Sequence, residues 1–144
     1  MEKCKFCLFE QKDLILKKYK YWTLVLAESQ SHLGWTHAVL NRHAELFEEL
    51  TDNELTELKE VIQDIKLALK KTFNPDWFNV MQLGNMTRHL HFQLVPRYKE
   101  QKVFGNRTFV DKDFGKMIVD RWEPEKKEFL IELRKHMACQ FKNY

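Results

Sequence analysis

The chain has 144 residues, of which 44% are hydrophobic and 31% charged, and its formal net charge is +3. This length predicts a single domain over residues 1–144 with a real core, and the charge balance gives no argument for a nucleic-acid or membrane partner. Apolar runs such as Leu24-Val25-Leu26-Ala27 are far shorter than the roughly 20 residues of a membrane helix. The segment Met1 to Cys7 lacks the apolar stretch of a secretory signal, so we expect a cytoplasmic protein.

The first half of the chain predicts strands followed by a helix. Residues 14–27 alternate well enough for one or two strands, and Gly34 to Leu40 predicts another. Thr51 and Glu54 then form a capping box at the start of a helix, which Asn74-Pro75 ends. Apolar residues at three-to-four spacing give this helix one stripe: Leu55, Leu58, Ile62, Ile65 and Leu69.

The second half predicts a hairpin, a loop region and a last helix. Trp77 to Leu83 is strand-like, and Gly84-Asn85 turns the chain into a strand over His89 to Arg97. Gly105 and Gly115 mark a loop region. Pro124 opens the last helix, whose inner side is formed by Phe129, Leu130, Leu133, Met137 and Phe141. This order indicates an α+β fold with an antiparallel sheet, one long central helix and a C-terminal helix.

The strand over His89 to Arg97 carries the most informative pattern. Successive side chains of a strand point to opposite faces, so His89, His91 and Gln93 share one face. Two imidazoles and an amide pack poorly in an apolar core, but they are well suited to catalysis. A histidine with one nitrogen exposed and the other held by a hydrogen bond can attack phosphorus, and His91 fits that role. Amides of the turn at 84–87 are candidate donors to phosphate oxygens. The alternative is a pair of polar residues on a half-exposed sheet.

The cysteines suggest a metal site. Cys4 and Cys7 are spaced as half of a zinc site, and His43 and His89 would complete a tetrahedral Cys2His2 set. Ordinary thiols and a redox pair are the alternatives. Three cysteines argue against a complete disulfide framework, and Cys139 is predicted to be a buried apolar residue. His37 and His136 are expected to be structural or solvated, and His32, beside a turn, supports no functional argument.

Together these residues resemble the histidine triad (HIT) superfamily of nucleotide hydrolases and transferases. The family strand reads His-x-His-x-His or, in a transferase branch, His-x-His-x-Gln, and here it is His89-Leu90-His91-Phe92-Gln93. The likeness continues through the Cys4–Cys7 pair, Gly34 to His43, Phe78-Asn79 and Val95 to Tyr98. It therefore covers nearly the whole chain.

The resemblance implies a fold, a chemistry and a cofactor. The fold would be an antiparallel sheet with a long helix, usually assembled as a homodimer. His91 would be the nucleophile, acting with Gln93 on dinucleoside polyphosphates, nucleoside phosphoramidates or nucleotide sugars. Asn79, Asn85 and Thr87, again with Gln93, would contact the substrate. A structural zinc would be held by four residues: Cys4, Cys7, His43 and His89.

Two departures from the family pattern leave the activity open. Gln93 replaces the third histidine of the hydrolase branch; it cannot relay a proton, but its amide can hold a phosphate oxygen, so hydrolysis and nucleotidyl transfer both stand. Asn41 stands where a proline is usual. The alternatives are a nucleotide-binding protein without turnover, a zinc-stabilised interaction module and an enzyme that processes nucleic-acid ends, although a basic tract for a long polyanion is missing.

Overall fold

Five antiparallel strands form the central sheet, in the order β1-β2-β3-β5-β4. The structure is a computed structural model that describes residues 4–119 and 122–141, so residues 1–3, 120–121 and 142–144 of the predicted domain lie outside it. The strands are β1 Ile15–Lys18, β2 Trp22–Leu26, β3 Thr36–Leu40, β4 Trp77–Met81, β5 His91–Arg97, β6 Lys102–Phe104 and β7 Arg107–Phe109, and the helices are α1 Lys5–Leu8, α2 Asp52–Thr72 and α3 Lys127–Ala138. The predicted α+β class with an antiparallel sheet, a long helix and a C-terminal helix is confirmed.

Both faces of the sheet centre are covered. Every residue of β2 and β3 is buried, whereas a sheet with one solvated face would alternate. The main core joins Leu24 and Leu94 of the sheet to Ile65 and Leu69 of α2. On the opposite face, β3 and β5 pair so that His37 lies directly across from Gln93. The covered second face therefore holds polar side chains as well as hydrocarbon.

Helix α2 begins with the predicted capping box. The Thr51 hydroxyl accepts from the Glu54 amide, and the Glu54 carboxylate accepts from the Thr51 amide. The apolar stripe differs in part from the prediction: Leu55 is 37% exposed, and Val61 is fully buried instead. The stripe is shifted because the helix packs through the face centred on Val61. None of the helices within the described residues is long and apolar enough to cross a bilayer.

Several boundaries differ from the sequence predictions. β5 begins at His91 rather than His89, because the Leu90 amide donates to the carbonyl oxygen of Ala44 instead of to a neighbouring strand. Helix α3 begins at Lys127, since Pro124 instead forms an isolated bridge with Ser29. The loop region contains the hairpin of β6 and β7. Cys139 is exposed, so its predicted burial was wrong.

Candidate functional site

Four predicted metal ligands meet at one corner of the sheet, which we call the metal corner: Cys4, Cys7, His43 and His89. Their ligand atoms all lie within 4.8 Å of one another. The His89 Nδ1 atom is 3.3 Å from Cys4 Sγ, 3.4 Å from Cys7 Sγ and 3.3 Å from His43 Nδ1. The Cys7 Sγ atom is 3.3 Å from His43 Nδ1. The sequence prediction that these four side chains converge is confirmed.

These spacings suit one tetrahedral metal ion. Metal–sulfur bonds of about 2.3 Å and metal–nitrogen bonds of about 2.0 Å place neighbouring ligand atoms of a tetrahedron roughly 3.3–3.8 Å apart. The His89 Nε2–H donates to the Leu40 carbonyl oxygen at 2.6 Å. Its Nδ1 therefore carries the lone pair that a metal needs, which is the second-layer arrangement typical of ligating histidines.

Local structure and the lowered pKa values of Cys4 and His89 support metal binding at this corner, whereas burial and the neighbouring Cys4 raise the pKa of Cys7. The single turn of α1 begins at Cys4, whose sulfur accepts from the Cys7 amide at 3.4 Å. Burial raises the pKa of the Cys4 thiol, but hydrogen bonds from the amide and thiol of Cys7 outweigh it and leave that pKa below its ordinary value. Burial lowers the pKa of His89. Thiolate and neutral imidazole are the forms that bind metals.

His91 begins β5, two residues beyond the metal corner. Its Nδ1–H donates to the carbonyl oxygen of His89 at 2.6 Å, so Nε2 carries the lone pair, as a nucleophile requires. Burial lowers the pKa of His91, which keeps the ring neutral at pH 7. The ring is only 7% exposed, because Phe6 lies over it with ring centroids 4.9 Å apart. Most of the His91 side chain, which was expected to be open, is thus covered by an aromatic side chain.

A second imidazole accompanies His91 on the covered face of the sheet. His37, His91 and Gln93 form what we call the reactive face. The centroids of the two imidazoles are 5.6 Å apart, and Gln93 is half-buried opposite His37. The Trp122 indole lies parallel to His37 at 6.2 Å between centroids. His37 was expected to be structural or solvated, and the structure instead places it beside the predicted nucleophile.

Asn79, a predicted substrate contact, is held by a buried charged network. Its side-chain oxygen accepts from Arg97 Nη1 at 2.8 Å, and Arg97 also donates twice to Asp111. The Asp111 carboxylate in turn lies 3.2 Å from His32 Nε2. Burial raises the pKa of Asp111, but the Arg97 hydrogen bonds and the Tyr98 amide outweigh it and hold that pKa below its usual range. A substrate contact by Asn79 would therefore come from its amide nitrogen.

The other predicted substrate contacts lie in the turn before the histidines. Asn85 is exposed and Thr87 is half-buried, and Gly84 gives the turn its positive φ of 69°. Within the described residues, no hydrogen bond or ring contact joins this turn to His91.

Sequence reasoning missed two residues of the site, Phe6 and His37. Phe6 lies between Cys4 and Cys7 in the sequence, so its position is fixed once these two cysteines are placed at the metal corner. This adjacency is a signal from which Phe6 could have been predicted. His37 follows Trp35 by two residues in a predicted strand, and that alternation places both on one face. The strand that pairs with β3 beside that face could not be predicted from the sequence, because the pairing of β3 with β5 joins residues more than 50 positions apart.

A sequence model of the HIT domain family matches residues 9–100. The chain belongs to the HIT domain family. It is 33% identical over 89 residues to an uncharacterized HIT-like protein of Methanocaldococcus jannaschii, covering 56% of this chain and 67% of that relative. Family membership supports a nucleotide-binding or nucleotide-hydrolysing function in general terms, and the predicted resemblance is confirmed.

Solved structures of other HIT proteins share the fold. A hypothetical histidine triad nucleotide-binding protein of Sulfolobus tokodaii superposes with a TM-score of 0.72 at 20% identity, covering 95% of this chain and 91% of that chain. A Zn-bound histidine triad family protein of Mycobacterium smegmatis gives a TM-score of 0.68 at 18% identity, covering 95% and 94%. At these identities the likeness concerns the fold. Cys4 and Cys7 lie outside the residues that the family model matches.

Proposed function

We propose that this HIT-family protein is a nucleotide hydrolase or nucleotidyltransferase that cleaves its substrate at the α-phosphate through a nucleotidyl group carried on His91. The observation that carries the proposal is the hydrogen bond from His91 Nδ1–H to the His89 carbonyl oxygen. It fixes the tautomer in which Nε2 is a lone-pair nucleophile. The rigid strand start holds that nitrogen in place.

Two displacements complete the reaction. In the first, His91 Nε2 forms a bond to the α-phosphorus, and the bond from phosphorus to the bridging atom breaks, so that the leaving group departs with the electron pair. In the second, water or a phosphate acceptor forms a new P–O bond while the N–P bond breaks and the Nε2 lone pair returns. The proton of attacking water passes to solvent or product. Gln93 orients the phosphate oxygens through its amide, with Asn79, Asn85 and Thr87 as further substrate contacts.

We infer that the metal corner holds zinc in a structural role. Four ligands, two of them thiolates, match a closed structural zinc site, whereas a catalytic zinc site keeps one position open. The ion would pin α1 to the start of β5 and so fix the carbonyl oxygen of His89 that orients His91. The homodimer implied by the family resemblance stays a prediction.

The test is a substitution of His91 read against a panel of substrates. His91→Ala is expected to lose at least about a thousandfold in kcat, as nucleophile removal does in other covalent enzymes. His136→Ala is the matched control, since its exposed imidazole lies on α3. The panel comprises dinucleoside polyphosphates, nucleoside phosphoramidates and nucleotide sugars. Retention of most of the parent turnover by His91→Ala would remove the nucleophile assignment.

The second candidate is a nucleotide-binding protein without turnover, which is favoured by the 7% exposure of His91 under Phe6. A nucleotide would then bind at the reactive face without forming a bond to Nε2. Tight binding of nucleoside monophosphates together with no product after long incubation would select this function over the enzyme.

A further inference from the structure

One buried polar atom on the reactive face has no partner within the described residues. His37 is 8% exposed, and its Nε2 makes no hydrogen bond. Trp35, which directly precedes β3, likewise has a buried Nε1 without a partner among the described residues. Leaving such a group unpaired costs about 1–3 kcal/mol, so buried unpaired groups in native proteins call for an explanation, such as a catalytic role or a bound ligand or water.

The position of His37 connects this unpaired nitrogen to the reaction. Its ring centroid lies 5.6 Å from that of His91, and in the sheet it is directly opposite Gln93. A phosphorus atom bonded to His91 Nε2 would carry oxygens into the space between the two imidazoles. Those oxygens would be within hydrogen-bond reach of a donor on His37.

We propose that His37 is a substrate-contacting residue of the reactive face, whose Nε2–H donates to a non-bridging oxygen of the α-phosphate. This inference rests on the proposed function and deepens it, because it assigns a phosphate donor that the histidine strand itself lacks. Gln93 gives an amide donor from β5, and His37 adds an imidazole donor from β3. The phosphate would thus accept hydrogen bonds from side chains of two neighbouring strands, β3 and β5.

The charge state of His37 suits donation. Burial is the main cause that lowers the pKa of His37 to about 3, and the nearby Lys5 ammonium and the neighbouring His91 imidazole lower it further. A neutral imidazole carries one N–H, and its other nitrogen accepts. A phosphate oxygen bears negative charge, and hydrogen bonds to charged acceptors are roughly twice as strong as neutral ones.

Two aromatic rings govern access to His37. Phe6 meets it edge-on at 6.2 Å between centroids, and Trp122 lies parallel at 6.2 Å. A phosphate that reaches the imidazole must displace one of these rings. Trp122 is 44% exposed and loses less buried area than Phe6 on moving, which makes it the ring expected to shift.

The experiment compares nucleoside 5′-monophosphates with the matching nucleosides by calorimetry, using adenosine, guanosine, cytidine and uridine forms. His37→Leu is expected to weaken monophosphate binding by about 10- to 100-fold, as loss of a charge-assisted hydrogen bond does, and to leave nucleoside binding unchanged. His37→Gln, which keeps an amide donor, should recover at least part of the loss. The melting temperature of His37→Leu should not fall, since the variant removes a buried unpaired group.

Thr36→Val is the matched control. Thr36 is fully buried with an unpartnered Oγ1, but it adjoins His37 in β3 and so faces the opposite side of the sheet. Its substitution should leave monophosphate binding at the parent value. If the parent binds monophosphates and His37→Leu binds them equally well, the role of His37 is overturned while the proposed function stands.

Two further outcomes are equally decisive. Equal weakening of nucleoside and monophosphate binding, together with a lower melting temperature, would show that His37 is a structural residue only. If the parent binds none of the monophosphates, the proposed function itself fails, and the role of His37 fails with it.

Discussion

The metal corner and the reactive face adjoin each other and differ in how completely their polar atoms are paired. At the metal corner, each of the four ligand atoms has another at 3.3 or 3.4 Å, and the remaining nitrogen of His89 is bonded to the Leu40 carbonyl. On the reactive face, a buried nitrogen of His37 has no hydrogen-bond partner among the residues that the structure describes. On the proposals made above, one metal ion would complete the first region, and a bound phosphate would complete the second.

The two regions therefore differ in the roles that we propose for them, which are structural for the metal corner and functional for the reactive face. A closed metal site stabilises the fold and leaves no position for substrate. A buried polar group without a hydrogen-bond partner lowers the stability of the free protein, and this cost is recovered when a bound ligand supplies the partner. The two are coupled through His89, whose side chain belongs to the four-residue cluster and whose carbonyl oxygen accepts the hydrogen bond that orients His91.

The largest effect on stability is expected at the metal corner. Cys7→Ser should lower the free energy of unfolding by about 3 kcal/mol or more, because loss of a structural metal belongs to the few changes with large effects. Cys139→Ser is the control, since Cys139 is exposed and lies outside the four-ligand cluster. Urea unfolding and zinc analysis of the purified proteins make the comparison. A parent without zinc, equal in stability to Cys7→Ser, would remove the metal role.

A slightly smaller loss is expected behind the reactive face. Arg97→Met should destabilise the protein by about 3 kcal/mol, because breaking a buried ion pair leaves Asp111 as an uncompensated buried charge. Lys127→Met breaks only an exposed pair with Asp13 and should change little. Both variants are measured by urea unfolding at pH 7. Equal stabilities for the two would show that the Arg97 network is not a structural support.

Phe6 connects the two regions, because it lies between Cys4 and Cys7 in the sequence and its ring lies over His91. Its removal tests whether the metal corner limits access to the reactive face. Phe6→Ala should raise the rate at which diethyl pyrocarbonate modifies His91 several-fold, since the ring that covers the imidazole is gone. His136, already exposed, should react at the same rate in parent and variant. Peptide mass mapping over time gives both rates. An unchanged rate at His91 would mean that Phe6 does not limit access.

The smallest effect concerns the support beside the metal corner. The Arg42 guanidinium donates to both oxygens of Glu54 and lowers the pKa of that carboxyl to about 2. An unfolded glutamate has a pKa of about 4.3, so this pair stabilises the protein above pH 4.3, and the contribution is lost as the pH falls towards 2. The stability gap between the parent and Glu54→Gln should therefore narrow across that window.

The control for this pH dependence is Glu132→Gln. Glu132 is 70% exposed in a pair with Lys135, so its stability gap should stay small at every pH. Urea unfolding at pH 6, 4 and 3 is sufficient. A gap at Glu54 that is constant over this range would contradict the role of Arg42.

Much of the fold followed from local sequence signals. The capping box at Thr51 and the strands within residues 14–27 were predicted correctly because each depends on neighbours in sequence. Ends set by distant contacts were missed, as at the start of β5, where the Leu90 amide donates to the Ala44 carbonyl oxygen rather than to a neighbouring strand. The start of α3 was missed for the same reason, since Pro124 pairs with Ser29.

The site divides in the same way. The convergence of the four metal-corner side chains was predicted from the Cys4–Cys7 spacing together with the family resemblance, because spacing alone also allows ordinary thiols or a redox pair. The burial of His91 was not predicted, since it depends on where Phe6 settles in three dimensions. The partnership of His37 with Gln93 required the register between β3 and β5, which alternation within one strand does not specify.

The most direct test of the central claim is peptide mass mapping of the protein quenched during turnover of the substrate that it cleaves. We expect a nucleotidyl mass on the peptide that contains His91, and its absence from His91→Ala treated in the same way. Steady turnover with no adduct under conditions that preserve N–P bonds, or an adduct on another histidine such as His37, would contradict the covalent role of His91.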